Sequence, residues 1–217
     1  MEVAILFAWI VALCIGTLLA IYALYKIILY FNNIKSFFTT PHAIVLLNGK
    51  KKAGKTTIIE LLNRGAFVPS YQPTQQPSIK KAATITTQNG RRYAFWDTSG
   101  LYHIKDSSNL HDSLEILHKK NHYEILSVYV FNIAEYEECK NEIIAHTQIC
   151  KDKGYIALAL ATRGDKLNST ERRNLNAEMS RIFGIPIKVF DLTVAPVEEM
   201  INFIESSETN AARLKRA

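Results

Sequence analysis

Gly49-Lys50-Lys51-Lys52-Ala53-Gly54-Lys55-Thr56 fits the pattern G-x-x-x-x-G-K-[ST] and follows directly on the apolar run Ala43 to Leu47. A buried strand, a glycine loop and then a helix is the context in which this pattern means a phosphate cradle. The loop turns successive backbone N–H groups inward at an anion, and the start of the next helix adds its partial positive charge at the same place. Lys55 is then placed to reach the β- and γ-phosphates, and Thr56 to offer its hydroxyl to Mg²⁺. Gly49, Lys52, Ala53, Gly54, Lys55, Thr56 and Thr57 are the candidate contacts to a nucleotide's phosphates.

Downstream, Thr57 to Arg64 reads as a helix, and Gly65 to Pro77, with Pro69, Pro73 and Pro77, as an irregular loop. Lys81 to Thr87 and Arg92 to Trp96 are short strands joined through Gln88-Asn89-Gly90-Arg91, and the Asn-Gly pair makes them an antiparallel hairpin. Ile125 to Phe131 and Tyr155 to Ala161 read as buried strands around a helix from Glu135 to Lys151. Next come a helix from Thr170 to Phe183, capped by Ser169 or Thr170 and ended by Gly184, a strand from Ile187 to Leu192 and a helix from Val197 to Ile204. About six strands alternating with five helices imply a three-layer α/β fold.

The 217 residues carry a net charge of +6 with 48% hydrophobic content, which suits one globular domain with an appendage and rules out a mainly disordered chain. The appendage is N-terminal. Val3 to Tyr25 has no charged residue, and as a helix it is about 34 Å long, enough to cross a bilayer. Glu2 stands where a secretory signal has basic residues, so a membrane anchor over residues 3–30 is expected. Lys26 and Lys35 follow the span and no Lys or Arg precedes it, which leaves the rest of the chain in the cytoplasm. That membrane is the endoplasmic reticulum if the source is eukaryotic and the inner membrane if bacterial. Residues 31–42 are then a juxtamembrane linker, 43–207 the domain and 208–217 a basic tail ending in Arg213, Lys215 and Arg216.

Basic residues are scattered and do not form a stripe with interleaved aromatics, so nucleic acid is not the expected partner. Cys14, Cys139 and Cys150 have no metal-like spacing, and neither a disulfide nor zinc is expected. His118 and His122 share a helical spacing without a third ligand nearby.

A phosphate loop does not by itself separate ATP from GTP. Asp97-Thr98-Ser99-Gly100 closes the third strand as D-x-x-G, where the carboxylate can hold Mg²⁺ through water and the Gly100 N–H can meet a γ-phosphate. Thr162-Arg163-Gly164-Asp165 ends the fifth strand and is similar to the [NT]-K-x-D guanine-specificity motif. Asp165 can accept two hydrogen bonds from guanine, a donor pair adenine lacks. Arg163 replaces the usual Lys, and its planar group can still cover the base. Thr193-Val194 follows the sixth strand, where a short Ser/Thr-Ala loop meets the base in such proteins.

On these residues, Ala43 to about Ile204 resembles a Ras-superfamily small GTPase. It is closest to the Arf and Sar branch and to the signal recognition particle receptor beta subunit. Gly54-Lys55-Thr56-Thr57, Pro77-Ser78 and Trp96-Asp97 are similar to the Arf-type phosphate loop, switch I pair and Trp-Asp pair. The resemblance implies a P-loop small G-domain whose mixed six-stranded sheet has one antiparallel strand, binding GTP or GDP with Mg²⁺. It makes Ser78, with Thr74 as rival, the switch I ligand of Mg²⁺ beside Thr56 and Asp97. It also implies a cytoplasmic protein partner, a receptor-alpha-like subunit or an effector, recruited by a nucleotide-dependent switch.

Leu101 stands where relatives place a water-orienting Gln, so intrinsic hydrolysis is expected to be slow. His103 is the residue that can reach in to help, together with Lys55 as the catalytic cation. Two other readings stay open. One is a nucleotide-locked scaffold without turnover. The other is a membrane ATPase of the ParA and MinD kind, whose signature lysine lies where Lys50 does.

Overall fold

A computed structural model describes residues 41–65, 79–98, 123–194 and 197–214, with four isolated positions, Gly16, Thr17, Tyr22 and Lys26, near the N-terminus. The chain divides into two compact units, Met1–Thr40 and Pro41–Ala217. Those four isolated positions are helical, and Lys26 lies over the Tyr22 ring. Among the described residues no helix is long and apolar enough to cross a membrane, and nearly all of the expected span at 3–30 lies outside them.

The second unit is an α/β fold around a six-stranded, mostly parallel sheet with one antiparallel strand. In chain order the elements are β1 (Ala43–Asn48), α1 (Lys55–Arg64), β2 (Ile79–Thr86), β3 (Arg92–Thr98), β4 (Glu124–Asn132), α2 (Tyr136–Lys153), β5 (Ile156–Thr162), α3 (Ser169–Phe183), β6 (Ile187–Val189) and α4 (Val197–Leu214). Across the sheet the strands run β2-β3-β1-β4-β5-β6. Only β2 is antiparallel to its neighbour, because the turn at Asn89-Gly90 reverses the chain, with Gly90 at φ 73°.

β1 is buried along its whole length and pairs in parallel with β3 on one side and β4 on the other. A strand covered on both faces reads as a continuous apolar run, and its alternate residues then feed two cores. Ala43, Val45 and Leu47 pack with Ile58, Leu61 and Leu62 of α1 and with Met200 and Ile204 of α4. Ile44 and Leu46 pack on the opposite face with Cys150 of α2, and further along that face Tyr129 and Phe131 meet Ile143 of α2 and Met179 of α3. The sheet is therefore sandwiched between two helical layers.

Most boundaries shift by one or two residues from the sequence reading, and three further differences stand out. The cap of α3 is Asn168, whose side chain accepts from the Glu171 N–H while Glu171 returns the bond to the Asn168 N–H. That reciprocal box outcompetes Ser169 and Thr170 because only Asn168 has a Glu three residues on. β6 stops at Val189, although Phe190 still donates to the Ala161 carbonyl. α4 runs ten residues past Ile204, to Leu214. Its extension is anchored by Glu208, a buried carboxylate that accepts from Arg91 at 3.1 Å and from the Tyr93 hydroxyl.

Candidate phosphate and base site

The parallel strands β1, β3, β4, β5 and β6 deliver their C-terminal ends to one edge of the sheet. β1 is the strand from which the chain departs to both sides, and in open α/β sheets that switch point is where ligands bind. The glycine loop lies there. Gly49 has φ 133°, and a Cβ on it would fall 2.0 Å from the Val130 carbonyl oxygen, so only glycine lets the loop cross the end of β4. At the other end Gly54 has φ 98°, and a Cβ there would sit 2.9 Å from the Thr162 methyl. Lys52 is left-handed as well, with φ 68°, and both it and Lys51 are exposed, whereas Ala53 is buried.

Lys55 opens α1 and is 6% exposed. Its Nζ donates to the carbonyls of Gly49 at 2.8 Å and Lys50 at 2.9 Å, so the ammonium closes the loop on itself. Burial lowers its pKa, and the negative Asp97 works in the opposite direction. Asp97 pairs in register with Leu47, which brings it beside the loop. Its Oδ2 accepts from Thr56 Oγ1 at 3.5 Å, while its buried Oδ1 has no hydrogen-bond partner among the described residues. Burial raises the Asp97 pKa, against the pull of Lys55 and Thr56.

A buried carboxylate oxygen without a partner is costly unless something comes to it. Beside a threonine hydroxyl it forms an all-oxygen pair, the kind of donor set that hard divalent cations take together with phosphate oxygens. Among the described residues no group of three or more His, Cys, Asp or Glu stands together as a metal site. Thr56 and Asp97 would thus depend on the ligand for the remaining positions. Thr57, next on α1, is half-buried. Ser78, Thr74, Gly100, Leu101 and His103 lie outside the described residues, as do His118 and His122.

Thr162, expected among the nucleotide contacts, is buried, and its hydroxyl sits 2.9 Å from the Ala53 carbonyl and 3.2 Å from that of Phe131. It therefore braces the glycine loop against the ends of β4 and β5. The next residues form a tight turn. Arg163 is left-handed with φ 65° and exposed, Gly164 is buried, and Asp165 is exposed in a single 3-10 turn over Gly164–Lys166. A Cβ on Gly164 would lie 2.9 Å from the Phe190 carbonyl, and the Gly164 N–H donates to that oxygen at 2.9 Å. The turn that carries Asp165 is thereby locked to the end of β6.

After β6, Asp191 accepts from both the N–H and the hydroxyl of Thr193, at 3.0 and 2.5 Å. Val194 stands out at 71% exposure beyond it. On the flank of this turn a cavity of about 400 Å³ opens between α3, β6 and the start of α4, lined by Arg172, Lys188, Asp191 and Val194 among others. Arg172 approaches Asp191 at 3.6 Å across it.

The arrangement thus holds a glycine loop, a buried lysine and a Thr–Asp oxygen pair at one point. Thr162 and Gly164 link them to two turns bearing Asp165, Thr193 and Val194. Comparison with protein-family models and with curated proteins yields no match for this chain. Sequence reasoning missed the Thr162 brace. It also missed Glu142 of α2, which pairs with Lys50 at 3.0 Å, since no local pattern announces a contact set by helix packing on β4.

Proposed function

We propose that this chain is a membrane-anchored small GTPase that binds GTP or GDP with Mg²⁺ and uses the bound state to recruit a cytoplasmic protein. The carrying observation is the buried Asp97 oxygen, which has no partner among the described residues, beside Thr56 and next to a glycine loop closed by Lys55. A triphosphate with Mg²⁺ supplies what that cluster lacks: an anion for the loop amides and Lys55, and a cation for Asp97 and Thr56. The six-stranded sheet with one antiparallel strand is compatible with a P-loop fold of the small G-domain kind.

Guanine selection rests on Asp165, exposed in a turn that Gly164 fixes to β6 and that Thr162 connects to the loop. Leu101 favours slow intrinsic turnover, because an aliphatic side chain orients no water. The same residue supports a nucleotide-locked scaffold as the second reading, and the absence of turnover stimulated by any added partner would favour it. Against the ATPase reading, Lys50 is engaged with Glu142 of its own chain.

Titration of the full chain with GTP, GDP and ATP in the presence of Mg²⁺ tests the proposal. Guanine nucleotides should bind more tightly than ATP, and equal or tighter ATP binding refutes it. Asp165→Asn should move preference toward xanthine nucleotides, whose extra ring oxygen suits an amide donor. Unchanged guanine preference in that variant removes Asp165 from its role.

A further inference from the structure

Glu142 is engaged through both oxygens. Oε1 takes the Lys50 ammonium at 3.0 Å, and Oε2 accepts from the Tyr129 hydroxyl of β4. Lys50 is the second residue of the glycine loop, and its own carbonyl is one of the two that hold Lys55. A carboxylate on α2 therefore draws a loop cation sideways, toward the helix, while the loop's main chain still grips the buried lysine. The hydrogen bond that Lys50 donates to Glu142 is the main cause of a raised Lys50 pKa.

The neighbouring lysines are not held in this way. No ion pair or hydrogen bond engages the Lys51 or Lys52 side chain among the described residues, and both are exposed. Three consecutive cations on a phosphate loop would all be attracted to a polyphosphate, yet among the described residues only Lys50 has an acid placed to receive it. The Tyr129 hydroxyl orients that acid from beneath. The pair itself is about a third exposed on each side, with side-chain exposures of 35% and 39%. Such a bridge is weak enough to be exchanged and strong enough to bias where Lys50 resides.

We propose that Glu142 is a positioning residue that withholds the Lys50 ammonium from the phosphate site and so keeps nucleotide affinity below what the lysine-rich loop would otherwise give. The inference rests on the nucleotide-binding reading above. It extends that reading by assigning a tuning role to Glu142, a residue of α2 outside the glycine loop. Charge balance supports it: freeing Lys50 adds a cation next to the anion.

The test uses the full chain, its Glu142→Gln variant, and the same change made in a Lys50→Gln background, with Kd for GDP and GTP measured at several salt concentrations. Gln keeps an oxygen for the Tyr129 hydroxyl, so the packing of α2 on β4 is retained. Glu142→Gln should tighten binding by about fivefold and steepen its salt dependence, the response to one more ammonium at a partly exposed site. In the Lys50→Gln background the Glu142 change should have no effect.

A Kd in Glu142→Gln that is unchanged or weaker overturns the inference. So does a gain that persists without Lys50, since simple repulsion by the carboxylate would then explain it. Should Glu142→Gln fail to fold, Glu142→Asp supplies the same comparison, because it shortens the reach to Lys50 by one methylene while keeping the charge. It should also tighten binding, and an unchanged Kd overturns the inference. A parent protein that binds no guanine nucleotide removes the proposed function itself, a result distinct from a binding parent with unresponsive variants.

Discussion

Replacing Thr162 by Val tests whether the two halves of the site are one mechanical unit. Valine keeps the shape of threonine and exchanges only the hydroxyl for a methyl, so no cavity opens. What is lost is the hydrogen bond shared between the Ala53 carbonyl at 2.9 Å and the Phe131 carbonyl at 3.2 Å, inside a residue that is 3% exposed. Leaving a buried carbonyl short of its donor costs about 1–3 kcal/mol. With a urea m-value of about 2 kcal/mol per molar, the unfolding midpoint should fall by roughly 0.5–1.5 M. The Thr162 methyl also lies against Gly54, so loss of the bond should loosen the loop as well as destabilise the fold. GDP affinity should weaken about tenfold alongside stability, since about 1.4 kcal/mol of loop ordering is then charged to binding. Ile143→Val, on the far face with α2, should cost about 1 kcal/mol of stability and leave affinity alone. A Thr162→Val midpoint equal to the parent's refutes the brace. A lowered midpoint with parental GDP affinity refutes its coupling to the site.

Three further outcomes follow from the same structure. Gly49→Ala puts a Cβ 2.0 Å from the Val130 carbonyl, which the backbone cannot absorb, so nucleotide binding should be lost with about 2–4 kcal/mol of stability. Gly90→Ala, with open space at its Cβ and φ 73°, should cost only about 1 kcal/mol and leave binding intact, and urea melts with GDP titrations read both. His146, buried against the Ser127 carbonyl at 3.1 Å, has its pKa pushed down to about 4 by desolvation. The unfolded chain therefore binds the extra proton first. The histidine makes no difference above about pH 6.5, and its cost grows to about 2 kcal/mol at pH 5 and about 3 at pH 4. Urea melts of the parent and His146→Gln at pH 7 and pH 5 should show the parent losing more, and parallel losses would refute the assignment.

Much of this fold is legible because its signals are local. Asn89-Gly90 dictates a tight reversal whatever surrounds it, and the apolar runs of β1, β4 and β5 have no other use than a sheet covered on both sides. The cap of α3 was also written in the chain, since Asn168 and Glu171 have capping-box spacing, although two further hydroxyls beside Asn168 obscured it. The extension of α4 was not. Glu205 to Asn210 is a polar stretch with no apolar stripe, and it is held to β3 where Glu208 accepts from Tyr93 and Arg91. Burial of a carboxylate is a tertiary event that no periodicity encodes.

The site divides along the same line. Glycines at 49 and 54, the lysine at 55 and the aspartate at 97 stand out in the chain because their spacing after a buried strand fits a known pattern, and the fold does bring them together. Thr162 shows where that reasoning stops. Its place in a motif suggested contact with a ligand, yet its hydroxyl is turned inward to Ala53 and Phe131. Glu142 shows it again, because a helix surface residue becomes part of a loop's electrostatics only through the way α2 packs on β4. Motif residues report what a ligand needs, and the residues that hold a motif in shape follow from packing. A variant series confined to the glycine loop would therefore miss Thr162 and Glu142, the two positions outside it whose side chains hold Ala53 and Lys50.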